Sequence, residues 1–224
     1  MSLKLHELTT DAEFGPVVAV ETEAFNDPFF GFWQVFYGGT SQEEFCARQA
    51  SWHKDDPSSN WIYVTDEETG SVIGGAQWNI YKESPYAKET AMLTPYWIPE
   101  GTFKDIGGQL LHAFLSYRPT RMNEPHILLN FCFTHPKHRR RGVGRLLMEW
   151  GTKKADELGL PSYIEATDIG LKLYEECGFK VEGELDLDAT TENPSEEFTK
   201  LREKLGCPIH GWFMRRPKYG KHEQ

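Results

Sequence analysis

The chain has 224 residues, a formal net charge of −10, and 39% hydrophobic residues, with aromatics at 13%. That apolar content suits one large domain with a real core and excludes whole-chain disorder, while the net acidity argues against a general nucleic-acid binder. The acidity fits cationic small molecules as partners, and equally a protein that is simply soluble.

No apolar run approaches the roughly eighteen residues that a bilayer span needs, and the opening MSLKLHELTTDAEF carries no apolar leader core. A cytoplasmic protein without membrane or nucleic-acid partners is expected. Cys46, Cys132, Cys177 and Cys207 are scattered and form no CxxC pair, so free thiols are expected in place of a disulfide framework. His135 and His138 are neighbours, but no cysteine or carboxylate cluster joins them in sequence, and no metal site is expected.

In chain order, Thr10-x-x-Glu13 and Ser41-x-x-Glu44 both fit a capping box, in which hydroxyl and carboxylate satisfy free amides at a helix start. The first introduces a helix in DAEFGPVVAVETEAF, with Gly15-Pro16 able to move its start; the second introduces QEEFCARQASWHKD. Between them NDPFFGFWQVFYGG is aromatic and broken by proline and glycine. NWIYVTDEETGSVIGGAQWNIYKE reads as a hairpin turning at Asp66 to Ser71. Residues 84–125 are irregular apart from a helix at DIGGQLLHAFLSY, too long for a plain connection, and so an insertion or an acceptor-site element.

HILLNFCF is an apolar run typical of a strand buried on both faces. GVGRLLMEWGTKKADELG is an amphipathic helix, PSYIEAT a strand, and DIGLKLYEECG a helix with Asp168 as N-cap and Gly178 as stop. FKVEGELDL and IHGWFMRRP are late strands separated by a charged segment. The order from 126 to 185 is strand, helix, strand, helix, strand, which makes the fold α/β (α+β) with a mixed sheet, in one domain over 1–224.

An acidic chain concentrates positive charge at one place, RRRGVG, where a strand ends and a helix begins. The first amides of that helix lack intrahelical partners and sit at the positive end of its dipole. Gly142 and Gly144 allow close approach and Arg139, Arg140 and Arg141 add charge, an arrangement suited to phosphate. Other readings stay open. A Walker loop is excluded for want of Gly-x4-Gly-Lys-Ser/Thr. A dinucleotide fingerprint needs a third glycine where Leu147 stands. A nucleic-acid patch at KHRRR, or a purely structural turn, would explain part of the pattern.

These residues resemble a known family. Arg139-Arg140-Arg141-Gly142-Val143-Gly144 is similar to the R/Q-x-x-G-x-G/A signature of the GCN5-related N-acetyltransferases. Thr134-His135-Pro136 resembles the V-x-P that precedes it, and Tyr174 to Phe179 resembles Y-x-x-x-G-F. The close match covers 126–185, and its layout looks most like the small-molecule, puromycin-type enzymes. The resemblance implies a centrally splayed sheet flanked by helices, with 126–185 binding acetyl-CoA. It implies that the pyrophosphate lies on the amides of residues 140–145, near Arg139, Arg140, Arg141, Gly142, Val143, Gly144 and Arg145. Cys132, Phe133 and Thr134 would face the pantetheine, one amide there stabilising the oxyanion. Tyr174 would be the general acid and would also contact the cofactor; a phenol near pKa 10 suits a thiol near 8.5.

For a base, Glu165 stands out mid-strand, where a carboxylate is odd unless it faces a cavity or pairs with a basic neighbour. His135 is a weaker candidate. Asn26, Asp27, Phe29, Phe30, Trp33, Trp78 and Tyr81 are candidates for a cationic, aromatic-walled acceptor pocket, or for plain core. The function implied is transfer of an acetyl group from acetyl-CoA to a small-molecule primary amine by direct attack in a ternary complex, by a monomer or homodimer. The alternatives are a protein N-terminus or lysine as acceptor, or a non-catalytic acyl-CoA sensor or nucleic-acid adaptor.

Overall fold

The computed structural model describes residues 2–87 and 93–221. Its centre is a seven-stranded sheet in the order β1-β2-β3-β4-β5-β7-β6. The strands are β1 (Leu3–Glu7), β2 (Ser59–Asp66), β3 (Val72–Tyr81), β4 (His126–Thr134), β5 (Ser162–Ala166), β6 (Lys180–Leu187) and β7 (Ile209–Arg216). All neighbours run antiparallel except β4 and β5, which are joined through a helix and run parallel.

The helices are α1 (Phe14–Asn26), α2 (Gly31–Tyr37), α3 (Gln42–Asp55), α4 (Thr102–Ser116), α5 (Arg118–Arg121), α6 (Val143–Leu158), α7 (Asp168–Glu176) and α8 (Glu196–Lys204). Both capping boxes form. The Glu13 carboxylate accepts the Thr10 amide at 2.7 Å and opens a short 3-10 turn that runs into α1. Ser41 and Glu44 exchange bonds at 3.0 and 3.1 Å at the start of α3. Asp168 is the first residue of α7, not its cap; Thr167 takes that place, and the Asp168 carboxylate accepts the Trp212 indole N–H at 2.6 Å.

Alternation along β2 divides the core. Ile62 and Val64 pack with α6 on one face, Trp61 and Tyr63 with α1 on the other. A third cluster, between α2, α4 and α8, holds the aromatic half of the chain against the far end of the sheet. Trp78 belongs to the first cluster. It is fully buried and its indole N–H donates to the Leu147 carbonyl of α6 at 3.2 Å. It is core and does not line an acceptor pocket. Tyr81 packs against His126 and against a fourth small cluster, and lines neither of the two cavities of the candidate site.

Candidate active site

The sheet splits where β4 meets β5. The parallel pairing runs only from Ile127–Ser162 to Leu129–Ile164, and β4 then continues alone to Thr134. On its other edge β4 shifts register against β3: Trp78 pairs with Leu129, but Gln77 pairs with Phe131. The extra residue, Asn130, is a β-bulge, which bends and twists the strand. Side chains hold it in place: Asn130 donates to the Asn79 amide oxygen, and Asn79 donates to Asp56 at 2.7 Å.

A cleft of about 770 Å3 follows the free edge of β4 down to the start of α6. Gly142 turns the chain into that helix with φ of 92°, and a Cβ built there meets nothing within 4 Å. In that left-handed region a side chain costs roughly 1–2 kcal/mol. The first helical bond runs from the Leu146 amide to the Gly142 carbonyl at 3.1 Å. The amides of Val143, Gly144 and Arg145 therefore stand ahead of the ladder, at the positive end of the dipole.

The arginines divide their work. Arg139 lines the cleft, but its guanidinium is anchored to the carbonyls of Ala24 and Asp27 at the end of α1. Arg141 lies outside the cleft. It is paired with Asp66 at 2.8 Å, and that bond holds the Asp66 carboxyl below its usual range. Its expected place at the phosphate is thus corrected, because its charge is spent on the β2–β3 turn. Arg145 lines the cleft while paired with Glu176 at 2.8 Å. Arg140 lines the cleft and is exposed, and among the described residues its side chain makes no ion pair or hydrogen bond.

A second cavity, of about 450 Å3, lies on the other side of the split. Its wall is aromatic. Phe32 packs on Phe114 at 4.7 Å and on Phe36 at 5.2 Å, and Phe36 meets Phe131 edge-on at 5.5 Å. Phe30 and Trp33 line it; Phe29, 48% exposed, lines the first cleft with Phe30. Asp27 lines neither: its backbone carbonyl holds Arg139, so a carboxylate facing the substrate is not found there. Asn26 hydrogen-bonds Gln34 at 3.0 Å and also lines neither.

Glu165 does face this cavity, but it is not free. Arg118 grips it through Nε at 2.7 Å and Nη2 at 2.5 Å, and the Tyr117 hydroxyl also donates to it. The carboxylate is 4% exposed and the guanidinium 10%. The Arg118 guanidinium also stacks over Phe114 at 4.5 Å. Both carboxylate oxygens are taken by hydrogen bonds, and the arrangement makes Glu165 a brace for the pocket floor. Nothing in the sequence around Arg118 flagged that partner, since it lies 47 residues upstream in an irregular segment.

The two cavities share Phe25, Phe30, Cys132, Thr167, Tyr174 and the strand start Ile209–His210. Tyr174, on α7, sits at this seam. Gly170 makes room for it: a Cβ there would fall 2.4 Å from the ring. Its hydroxyl reaches the Cys132 thiol. Burial, with Cys132 beside it, pushes the phenol well above its usual range, and burial pushes the thiol up to about 12. Both groups hold their protons at neutral pH. Cys132, Phe133 and Thr134 line the cleft along the unpaired edge of β4. His135 lines neither cavity and is bound to Glu23 at 2.9 Å.

Among the described residues no group of three or more His, Cys, Asp and Glu could hold a metal ion, and no helix is long and apolar enough to cross a membrane.

Comparison with known proteins agrees with this geometry. A probable acyltransferase, SID5, of Ajellomyces capsulatus is 38% identical over 53 residues, which are 24% of this chain and 39% of that protein. The match thus spans well under half the relative's length. Mosquito arylalkylamine N-acetyltransferase like 5b has the same fold, with a TM-score of 0.64, 16% identity, and 96% and 99% of the two chains covered. So does a GNAT superfamily phosphinothricin acetyltransferase from Sinorhizobium meliloti, solved in complex with AcCoA, with a TM-score of 0.52, 14% identity, and 97% and 89% covered. The pattern of the Acetyltransferase (GNAT) family matches residues 22–179, well over half the chain, and the protein belongs to that family of N-acetyltransferases.

Proposed function

We propose that the protein transfers an acetyl group from acetyl-CoA to the primary amine of a small molecule, by direct attack in a ternary complex. The observation that carries this reading is the meeting of a backbone-lined anion cleft and an aromatic pocket at one protonated tyrosine, Tyr174. The cleft suits the cofactor on local grounds. The amides of Val143, Gly144 and Arg145, with Arg140 beside them, would take the diphosphate. The free edge of β4 from Phe131 to Thr134 would pair with the pantetheine as an added strand. Bound there, acetyl-CoA supplies an activated acetyl group.

Tyr174 would give its Oη proton to the departing sulfur. Burial holds the phenol well above its usual range, so the match to a thiol expected of an ordinary tyrosine is lost, and the transfer depends on the thiolate leaving in the same buried surroundings. The Phe32, Phe36, Phe114 and Phe131 rings would flank the acceptor's apolar body, and an aromatic wall of this size suits a small molecule. Residues of the 84–125 segment, Leu111, Phe114 and Arg118, contribute to that wall, which supports reading the segment as an acceptor-site element.

The test is isothermal titration of acetyl-CoA and of CoA into the wild type and Gly142→Trp. The indole should fill the space ahead of the α6 amides and weaken binding by about 100-fold or more, with circular dichroism confirming that the fold is kept. A panel of aromatic primary amines, followed by thiol release, then reads turnover. An absence of binding to the wild type overturns the proposal.

A further inference from the structure

At neutral pH an alkylamine is an ammonium ion and has no lone pair to attack with. A group at the seam must take its proton. Glu165 is occupied by Arg118 and Tyr117, and His135 lies outside both cavities. His210 is different. It stands at the start of β7 and lines both the cofactor cleft and the aromatic pocket. Its Nδ1 is 2.9 Å from Oδ1 of Asp186, its register partner across the β6–β7 ladder. The ring meets Trp212 edge-on at 4.8 Å, and Trp212 is itself tied to Asp168 at 2.6 Å. The imidazole is therefore held from two sides, with Nδ1 facing a carboxylate.

We propose that His210, oriented by Asp186, is the proton acceptor for the attacking amine. This rests on the acetyl-transfer reading above. With Nδ1–H donated to Asp186, the neutral ring presents its Nε2 lone pair as the free acceptor. In the step itself one N–H bond of the ammonium breaks and an Nε2–H bond forms. The electron pair stays on the substrate nitrogen, and the positive charge moves to the imidazolium beside Asp186. The ring side chain is 39% exposed, so water can then remove the proton. The charged groups that act on the ring are Asp186 and Glu184 from β6 and Asp168 from α7, all acidic. The hydrogen bond to Asp186, then the charges of Asp186, Glu184 and Asp168, stabilise the imidazolium and raise the His210 pKa above its ordinary value.

The experiment compares the full-length wild type with His210→Gln and Asp186→Asn. Acetyl-CoA affinity is measured by calorimetry, turnover with 2-phenylethylamine as the acceptor probe across pH 5.5–9, and the ring by nitrogen-15 NMR. His210→Gln is expected to lower kcat/KM about 100-fold and to remove the rising acid limb, while acetyl-CoA affinity stays unchanged. Asp186→Asn is expected to move that limb to lower pH, because the imidazolium loses its carboxylate. The NMR readout needs no turnover: neutral His210 should carry its proton on Nδ1, and its pKa should fall in Asp186→Asn. An unaltered acid limb in His210→Gln overturns the proposal, and so does a neutral ring protonated on Nε2. Loss of acetyl-CoA binding in His210→Gln overturns it too, since that would make His210 a cofactor ligand. Failure of the wild type to bind acetyl-CoA, by contrast, strikes the acetyl-transfer reading itself.

Discussion

The two cavities that meet at Tyr174 are built in opposite ways. The cofactor cleft is made of backbone: a strand edge left without a partner, then three amides at a helix start, all between Phe131 and Arg145. Its recognition elements are fixed by φ and ψ, and most of its arginines serve as struts. Arg139 ties the cleft to α1 and Arg145 is paired with Glu176, which leaves Arg140, among the described residues, as the unpaired side chain beside the amides. The acceptor pocket is made of side chains from α2, α3, α4, β4 and β5, brought together by packing. A ligand that many enzymes share can be held by backbone that needs only a glycine at one position. An acceptor peculiar to one enzyme requires a wall that side-chain substitution can reshape without disturbing the cleft.

That separation can be attacked from the pocket side. Arg118→Met leaves the Glu165 carboxylate 4% exposed and without its bidentate partner. Orphaning one member of a buried pair costs about 3–5 kcal/mol, whereas removing both is often close to neutral. Urea unfolding should therefore show a large loss in Arg118→Met and recovery of most of it in Arg118→Met/Glu165→Leu. If the cleft is independent, the folded double variant should keep its acetyl-CoA affinity within a few-fold. A parallel loss of cofactor binding would mean that the two regions form one unit.

The next effect in size belongs to the seam. Tyr174→Phe removes one hydroxyl and keeps the ring that packs over Gly170. As a proton donor to the leaving sulfur, Tyr174 should be worth about 100-fold in kcat, with acetyl-CoA affinity nearly unchanged. An unchanged kcat would reduce the residue to a packing surface shared by the two cavities.

The same contrast explains what could be read from the sequence. The β4–α6–β5–α7–β6 order is carried by local signals: an apolar run, a three-to-four-residue apolar spacing, and glycines at turns. The structure places those elements within a residue or two of the expected bounds. The glycine turn into α6 was legible because its residues are contiguous. The short edge strand β1 gave no signal, since LKLHE earns its place only by pairing with β2. The aromatic helix α2 is only seven residues long and carries a single polar side chain, Gln34, before Tyr37, too little to show a periodicity. The helix α8 could have been found: Ser195 caps it, and Phe198, Leu201 and Leu205 recur at three and four residues. Trp78 misled because a run of β-forming residues does not say which side faces a helix. The Glu165–Arg118 and His210–Asp186 pairs depend on where separate segments come to rest, and single-sequence patterns hold no information about that distance.

The smallest effect lies behind the aromatic wall. Glu21 in α1 is fully buried; it accepts the Trp33 indole N–H at 2.8 Å and lies 3.4 Å from the Gln49 amide. Burial pushes its pKa up to about 8, against a pull downward from the bonds to Trp33 and then Gln49. In the unfolded chain the same carboxyl titrates near 4.5. Between those two values the folded state holds one proton more than the unfolded state, so stability must fall as pH rises through that window. The slope is at most about 1.4 kcal/mol per pH unit for one group. Below the window both states are protonated and above it both are ionised, so Glu21 adds no slope at either end. Glu21→Gln keeps an oxygen for the Trp33 indole and removes the titration. Urea midpoints measured from pH 5 to 8 should decline in the wild type and decline less steeply in the variant. Because the Trp33 indole N–H donates directly to Glu21, its fluorescence in the folded wild type should change near pH 8, where Glu21 ionises, and stay level in the variant. Parallel slopes in the two proteins would mean that Glu21 is already ionised at neutral pH, and that the wall behind the pocket accommodates a buried charge.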